Sequence, residues 1–483
     1  LGFGGRDLAT LCWAHAPLRL PDDALLSEAL QRRPELRMRD LAAVSWSAAP
    51  LRADHLLAPL AAACSARSQR EAPLLLAAAA CGGPEAAAGA ALPWLQAGWA
   101  FAFTGALAAP LQRALEGPLR SLGRALDAAG RKREQAPEDG PAQPAGQQAE
   151  ARASAAPPPW RRAAGGVLPR VVQRLPGVAV VHKPPNWEVD ASSASQGRPA
   201  SHRAATRSAV ALKLSAFLQS TFSIAEAPVV HSGHLEFGLL HRLDAPSSGL
   251  VLVALSYEAL LLLRWQRDTI AIERDYAILC HGHVPPELAS IQAPLIKRGG
   301  TSEVHESGQV AHTRVKVLGH YFAPPAANGS CDATVRPPRR VSLVVVRLVT
   351  GRQHQIRAHF RYVGHPVVCD GRYAQDVFDE DQAWCPRNFI HRWRLGFRAR
   401  SRASTGGTRP RAPRHATGVP VPSARSQGRG RPRPRGPRPA AGGPARGAGR
   451  PPSWLRGLRR GRGAVAARCG AGVLGGSGRA PRA

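Results

Sequence analysis

The chain has 483 residues and a formal net charge of +32, which allows two or three domains and indicates a polyanionic partner such as nucleic acid. Its eight cysteines include no CxxC pair, so the sequence predicts neither a zinc site nor a disulfide framework, and reduced thiols favour an intracellular compartment. The absence of any run of about 18 uncharged apolar residues argues against a membrane-spanning helix. Because the chain begins at Leu1, a targeting peptide would lie upstream, and chloroplast, mitochondrion, cytoplasm and nucleus all stay open.

Residues 1–125 are rich in alanine and leucine and are predicted to be helical. Residues 7–18 recur as residues 40–51, an offset of 33 residues that is typical of helix-pair solenoids. Each copy follows part of the hydrophobic spacing of a buried helix face, and Trp13 and Trp46 are predicted to pack between repeats. The pattern is similar to the helical repeats of organellar RNA-binding proteins, which makes this region a candidate RNA-targeting module.

Two segments lack the hydrophobic pattern of a folded domain. Residues 126–165 are polar and rich in Ala, Pro and Gln, and are predicted to form a disordered linker. Residues 401–483 contain 19 arginines and no Lys, Asp or Glu, which leaves a charge of +13 for the first 400 residues. This tail is also predicted to be disordered. Two interpretations of it stay open: an arginine-rich RNA-binding tail, or the translation of a shifted reading frame.

Between these two segments, residues 166–400 alternate strand-like and helix-like stretches. Strands are predicted over residues 178–182, 249–255, 275–280, 313–318 and 341–348, and helices over residues 210–222 and 257–267. This arrangement predicts an α+β domain with a mainly antiparallel sheet. Its length is sufficient to bury a hydrophobic core.

Two short stretches of this region are candidates for the chemistry. Residues 241–249, His-Arg-Leu-Asp-Ala-Pro-Ser-Ser-Gly, place the carboxylate of Asp244 in a loop of turn-forming residues before an apolar strand. Such a carboxylate is a candidate nucleophile or base, and a turn Asp that caps its own backbone is the alternative. Residues 350–359, Thr-Gly-Arg-Gln-His-Gln-Ile-Arg-Ala-His, concentrate basic and amide side chains directly after a predicted strand.

Together these stretches resemble the RluA-type pseudouridine synthases, which isomerise uridine in RNA. The family motifs HRLD, TGR-x-HQIR-x-H and GHP-x-x-x-D are matched by residues 241–244, 350–359 and 364–370. Shorter matches lie in the family's order at residues 178–184, 274–277, 311–313 and 390–397. Several motifs in one order are more specific than any one of them. The resemblance covers about residues 166–400 and implies a pseudouridine synthase domain there.

The resemblance implies a reaction that needs no cofactor and no metal, because the uracil moves from an N1–C1′ bond to a C5–C1′ bond without a redox step. It makes Asp244 the nucleophile, Arg357 the cation that keeps it ionised, and Tyr276 the ring that stacks on the uracil and assists proton transfer. Five further residues are implied in RNA or substrate binding: His241, Arg242, Arg352, His354 and Lys183. The implied partner is RNA, whose target uridine must leave its stack. The sequence identifies neither the RNA nor the oligomeric state.

Two other functions stand as alternatives. An inactive RNA-binding or assembly protein with the same fold would be expected to lack the nucleophile or its cation, and both are present. A glycoside hydrolase would need two cooperating carboxylates, whereas the motif-rich region offers only Asp244 near a substrate-binding pattern, and its partner motif is basic. The chain departs from the family pattern at residues 185–190 and at Arg274, where lysine is usual. These departures put the substrate in doubt more than the reaction.

Overall fold

The computed structural model describes residues 4–15, 23–32, 34–51, 53–135, 167–189, 212–323, 339–399 and 465–468. These residues form an α+β domain around one large sheet, preceded along the chain by six helices. Residues 136–165 of the predicted linker and the predicted tail, apart from residues 465–468, lie outside the described residues. Across the described ranges, no helix combines the length and the apolar character needed to span a membrane.

The six N-terminal helices pack against one another. Their bounds are α1 (Gly5–His15), α2 (Asp23–Gln31), α3 (Met38–Leu51), α4 (Asp54–Ala90), α5 (Leu92–Phe103) and α6 (Ala109–Gln135). Helix α3 packs against α1 and α5, and α4 packs against α2 and α6. The two copies of the predicted repeat are α1 and α3, whose first residues also stand 33 positions apart.

Of the two tryptophans predicted to pack between repeats, the structure describes the contacts of Trp46. Its ring lies 6.0 Å from that of Trp99 on α5, measured between ring centres. The side chain of Trp13 lies outside what the structure describes. Helix α6 continues to Gln135, so the first part of the predicted linker is helical rather than disordered. The reason is that Leu126 is still buried in the core of the helical region.

The large sheet contains nine strands. Those on its main path are β1 (Arg170–Leu175), β2 (Val178–Lys183), β3 (Ser248–Ala254), β4 (Glu273–His281), β5 (Ser290–Gln292), β8 (His312–Phe322), β9 (Arg340–Leu348) and β10 (Ile390–Phe397). Their order is β1-β2-β3-β10-β4-β9-β8-β5, and β11 (Val465–Arg468) pairs with the second half of β10. Strands β6 (Leu295–Arg298) and β7 (Thr301–Val304) form a separate hairpin. Only β3 and β10 pair in parallel among the described strands.

Four helices accompany the sheet: α7 (Leu214–Thr221), α8 (Tyr257–Asp268), α9 (Gln355–Tyr362) and α10 (Phe378–Gln382). One hydrophobic core joins α7 and α9 to the side chains of one sheet face, and a second core joins α8 to the other face. The prediction of an α+β domain with a mainly antiparallel sheet is confirmed. The edge strands β1 and β5 and the short helix α9 were not predicted, because each is short and carries many polar residues.

Helix α8 packs against both the large sheet and the N-terminal helices. Its Leu261 and Trp265 lie in the core of the helical region. A Cβ at Gly123 of α6 would lie 2.3 Å from the Cα atom of Glu258, so the two helix backbones touch there. The carboxylate of Asp127 accepts from the amides of Tyr257 and Glu258 at 2.8 and 3.2 Å, which caps the start of α8. The N-terminal helices are therefore packed onto the sheet domain.

Candidate active site

Asp244 lies in the loop that leads into strand β3. The loop turns tightly, since the amide of Ser247 donates to the carbonyl of Asp244 at 3.0 Å. Gly249 follows with a φ of 125°, and a Cβ there would lie 2.4 Å from the carbonyl oxygen of Arg392 on β10. A side chain at this position would clash with β10 and strain the backbone. The glycine thus allows β3 and β10 to pair next to the loop that carries the carboxylate.

Arg357, on helix α9, joins two carboxylates. Its Nη1 atom donates to Asp244 Oδ2 at 3.0 Å, while Nε and Nη2 donate to Asp370 Oδ2 and Oδ1 at 2.7 and 2.6 Å. The side chains of Arg357 and Asp370 are 5% and 0% exposed, whereas that of Asp244 is 19% exposed. Burial lowers the pKa of Arg357, but the hydrogen bonds and charge of Asp370, followed by those of Asp244, outweigh it and raise the pKa above its ordinary value. The guanidinium stays charged beside the more accessible carboxylate.

Asp370 is held in place by its surroundings. The amides of Arg372 and Tyr373 donate to its Oδ1 atom at 3.1 and 3.2 Å. The residue before it, Cys369, has a φ of 55°, and its amide donates to Asp381 Oδ2 at 2.7 Å. A left-handed backbone at a residue other than glycine persists only where the surrounding structure holds it. The turn therefore presents Asp370 as a fixed anchor for Arg357.

A second arginine organises the opposite wall of the site. Arg392, on β10, is 1% exposed and donates to the hydroxyl of Tyr276 from Nε at 2.9 Å and from Nη2 at 2.5 Å. Its Nη1 atom lies 2.7 Å from Nδ1 of His241. Burial, followed by the charge of Arg392, lowers the pKa of His241 well below its ordinary value, so the ring is neutral and accepts through Nδ1. The arginine thus fixes the positions of Tyr276 and His241 together.

The remaining residues implied in binding lie around Asp244. His354 directly precedes α9 and has a left-handed backbone, and its Nε2 atom lies 3.9 Å from Asp244 Oδ2. Burial lowers the pKa of His354, and the charge of Asp244 opposes that shift. The Nε atom of Arg352 donates to the carbonyl of Val310 at 3.1 Å. Arg242, two residues before Asp244, is exposed. The structure therefore brings these three basic residues to the mouth of the site.

Lys183 is placed differently from what the resemblance implied. Its side chain is fully buried, and the ammonium donates to the carbonyls of Pro184, Trp187 and Ala245 at 3.0, 2.7 and 3.1 Å. Burial lowers its pKa to about 7, with the charge of Asp244 opposing the shift. Lys183 lines neither cavity at the site, and its ammonium lies against the loop that carries Asp244.

Two adjoining cavities share Asp244, Arg357 and His354 in their walls. The smaller, of about 270 Å³, is also lined by Tyr276 and Arg392. The larger, of about 1070 Å³, continues towards Lys297, Arg372 and Arg387. Six arginines and one carboxylate line the smaller cavity, so it suits a ligand that carries negative charge. The described residues contain no group of three or more His, Cys, Asp or Glu side chains that could hold a metal ion.

Two residues of the site, Asp370 and Arg392, were not among the residues predicted from the sequence. Asp370 ends the GHP-x-x-x-D match, and Arg392 lies in the closing match at residues 390–397. The sequence signal was therefore present in both cases. Their roles depend on contacts with Arg357 and Tyr276, which are distant in the chain.

A sequence profile of the RNA pseudouridylate synthase family matches residues 177–362. Ribosomal large subunit pseudouridine synthase C of Haemophilus ducreyi is 34% identical over 166 residues, which are 33% of this chain and 47% of the relative. The protein of the same name from Escherichia coli (strain K12) is 36% identical over 169 residues, again 33% of this chain and 47% of the relative. The chain thus spans about half the length of these relatives.

Among solved structures, human RNA pseudouridylate synthase domain containing 1 aligns with 47% of this chain and 78% of its own, at 22% identity and a TM-score of 0.34. The segment that matches the sequence profile, residues 177–362, contains the loop of Asp244, the strand of Tyr276 and the helix of Arg357. The resemblance seen in the motifs is confirmed over this segment. Over residues 177–362 this chain is therefore similar to the RluA-type RNA pseudouridine synthases.

Proposed function

We propose that this chain converts uridine in RNA into pseudouridine, with Asp244 as the nucleophile and without a cofactor. The observation that carries the proposal is the hydrogen bond of 3.0 Å from Arg357 to Asp244, at the wall shared by the two cavities. A nucleophilic carboxylate must be ionised, accessible and oriented. Asp244 is more exposed than Asp370 and has a charged guanidinium beside it.

The reaction balances without any added group. Asp244 attacks C1′ of the ribose as the N1–C1′ bond breaks, the uracil turns within the cavity, and C5 then bonds to C1′ as the carboxylate leaves. The hydrogen on C5 departs as a proton, and N1 ends with a proton. Tyr276 offers a ring on which the base can stack, and its hydroxyl, held by Arg392, assists the proton exchange.

The arginines of the cavity walls support RNA as the substrate, since contacts to phosphates supply most of the affinity in such complexes. The relatives described above are named as ribosomal large subunit enzymes, so RNA of the large ribosomal subunit is the first candidate substrate. The target base has to be drawn out of its stack to reach a cavity of this kind.

The test is the release of tritium from large-subunit ribosomal RNA labelled with tritium at C5 of its uridines. Asp244→Asn keeps the shape of the side chain and removes its charge, so release should stop while RNA affinity stays within about two-fold, because phosphate contacts dominate binding. Glu303→Gln, which removes an exposed carboxylate from the β6–β7 hairpin, is the matched control and should release tritium at the wild-type rate. Turnover by Asp244→Asn at the wild-type rate would refute the mechanism. A wild-type chain that binds RNA and releases no tritium would favour the inactive binding protein.

A further inference from the structure

Arg274 on β4 is a cation without a counter-ion in the wall of the smaller cavity. Its guanidinium makes no hydrogen bond or ion pair within the part of the chain that the structure describes, and its Nε atom is buried. A buried cation without a partner is costly, so such groups are usually paired or neutralised. An unpaired guanidinium that faces a cavity indicates a missing anion.

The nearest carboxylate along the chain cannot neutralise Arg274. Successive side chains of a strand point to opposite faces of the sheet, so Asp275 faces away from Arg274. There it accepts from Arg347 at 2.6 and 2.8 Å and from Arg394 at 2.8 Å. Both carboxylate oxygens of Asp275 thus accept hydrogen bonds on the face opposite Arg274. The charge of Arg274 is therefore left for the cavity.

Other positive groups stand beside Arg274. Its Nη1 atom lies so close to Gly351 that a Cβ there would be 2.7 Å away, and Gly351 directly precedes Arg352. Arg267, at the end of α8, lines the same cavity and is paired with Asp268 at 2.7 Å. Burial lowers the pKa of Arg274. Tyr276 opposes the shift, while the charges of Arg392 and Arg267 add to it. These arginines give this wall an excess of positive charge.

We propose that Arg274, with Arg267 beside it and Arg352 in the lining of the same cavity, binds a backbone phosphate of the RNA next to the target uridine. The proposal rests on the proposed function. Arg274 and Tyr276 are two residues apart on β4, so they share a face and stand about 7 Å apart, roughly the size of one nucleotide. The planar fork of a guanidinium matches the oxygens of a phosphate. A base stacked on Tyr276 would thus place an adjacent phosphate against Arg274.

The test compares how wild type and the Arg274 variants bind a ten-nucleotide oligouridylate at several KCl concentrations, measured by fluorescence anisotropy. Arg274→Gln should weaken binding about five-fold or more near 0.1 M salt, and the slope of log affinity against log salt should become shallower by about 0.7, the value of one lost phosphate contact on a single strand. Arg274→Lys should recover the slope, because a point charge still attracts the phosphate. Arg174→Gln is the matched control: it removes an exposed arginine, paired with Glu226 at 2.6 Å, and should leave the slope unchanged.

Two further readouts decide the assignment. The rate of tritium release from RNA bound at saturation should fall by a smaller factor than the affinity does in Arg274→Gln, since phosphate contacts position the RNA and take no part in the bond changes. A slope equal to that of wild type, or a slowed bound-state rate with unchanged affinity, would overturn the proposal. Inorganic phosphate at constant ionic strength should not displace the oligouridylate. Displacement at millimolar phosphate, lost in Arg274→Gln, would instead identify a site for free phosphate.

The binding slopes need no turnover, so the anion site is tested even where the wild-type chain releases no tritium. A wild-type chain that releases no tritium would refute the proposed function and leave the anion site untouched. An unchanged slope in Arg274→Gln, with normal turnover in wild type, would refute the anion site alone. Circular dichroism checks that Arg274→Gln folds. Arg274→Met, which keeps the apolar stem and removes the charge, is the second variant; its slope should become shallower by the same amount, so the test stands where Arg274→Gln does not fold.

Discussion

Arg357 gives two hydrogen bonds, of 2.7 and 2.6 Å, to Asp370 and one, of 3.0 Å, to Asp244. The two carboxylates therefore play unequal parts. Asp370 is fully buried and bound on several sides, so it fixes the guanidinium in space. Asp244 accepts a hydrogen bond from Nη1 of Arg357 and is still partly exposed to the cavities. The arginine can orient the second carboxylate without enclosing it.

The first prediction is that substitution of Asp370 lowers the free energy of unfolding more than substitution of Asp244 does. Asp370→Asn should lower the free energy of unfolding by about 3–5 kcal/mol, because it removes the main partner of a buried charge. Asp244→Asn should cost clearly less, because Arg357 keeps both bonds to Asp370. Urea unfolding of the two variants beside wild type measures the difference. Equal losses of stability would mean that Asp370 is not the anchor.

A second prediction concerns the effect of the Arg357 guanidinium on the bound-state rate. Arg357→Met alone would leave Asp370 buried without its cation, so the informative variant is Arg357→Met combined with Asp370→Asn, compared with Asp370→Asn alone. Without the guanidinium, Asp244 loses the hydrogen bond that orients it and the positive charge beside it. We expect the bound-state rate to fall about 100-fold. Single-turnover rates provide the measurement, and RNA affinity is the control. A weaker RNA affinity with an unchanged bound-state rate would make Arg357 a phosphate contact.

The sequence predicted the parts of the site that lie in continuous motifs. Asp244 and Arg357 each stand in a short motif, so both could be singled out before their contact was known. Arg392 also lies in a motif match, but its role could not be assigned from the sequence, because it arises only when β10 pairs between β3 and β4 and brings Arg392 to Tyr276. The position of Lys183 could not be predicted for a related reason: no local pattern tells whether a lysine at the end of a strand faces the cavity or the carbonyls of the neighbouring loops.

A third prediction concerns two neighbouring histidines, His182 on β2 and His391 on β10, whose ring centres are 5.8 Å apart. Burial lowers the pKa of each to about 4, and nearby positive groups, including Arg387, add to the shift. In the unfolded chain a histidine titrates near pH 6.5, so between about pH 6.5 and pH 4 the unfolded state binds more protons than the folded state. The free energy of unfolding should therefore fall as the pH drops through that window, and these two groups should have no effect above it.

Urea unfolding between pH 7 and pH 4 measures this dependence. His391→Gln removes one of the two titrating rings, so its stability should fall less steeply with pH than that of wild type. His305→Gln, at an exposed position, is the control and should follow the wild-type profile. A profile of His391→Gln that is as steep as that of wild type would show that His391 does not titrate in this window.

The last prediction concerns the packing of the N-terminal helices onto the sheet domain. Gly123 and Gly117 both lie in α6, but a Cβ at Gly123 would be 2.3 Å from the Cα atom of Glu258, whereas one at Gly117 would meet nothing within 4 Å. Alanine is favoured over glycine inside a helix by about 1 kcal/mol. Gly117→Ala should therefore raise the free energy of unfolding by up to about that amount.

Gly123→Ala gains the same helix propensity but forces α6 away from α8, and overpacking of this kind typically costs about 1–3 kcal/mol. It should therefore be the less stable of the two variants in urea unfolding of the full chain. It should also loosen the cap that Asp127 provides to Tyr257 and Glu258, which faster hydrogen exchange of those two amides would report. If Gly123→Ala matches Gly117→Ala in both measurements, the helices of residues 4–135 are not packed against α8 in solution. They would then be free to act as a module separate from the domain that carries Asp244.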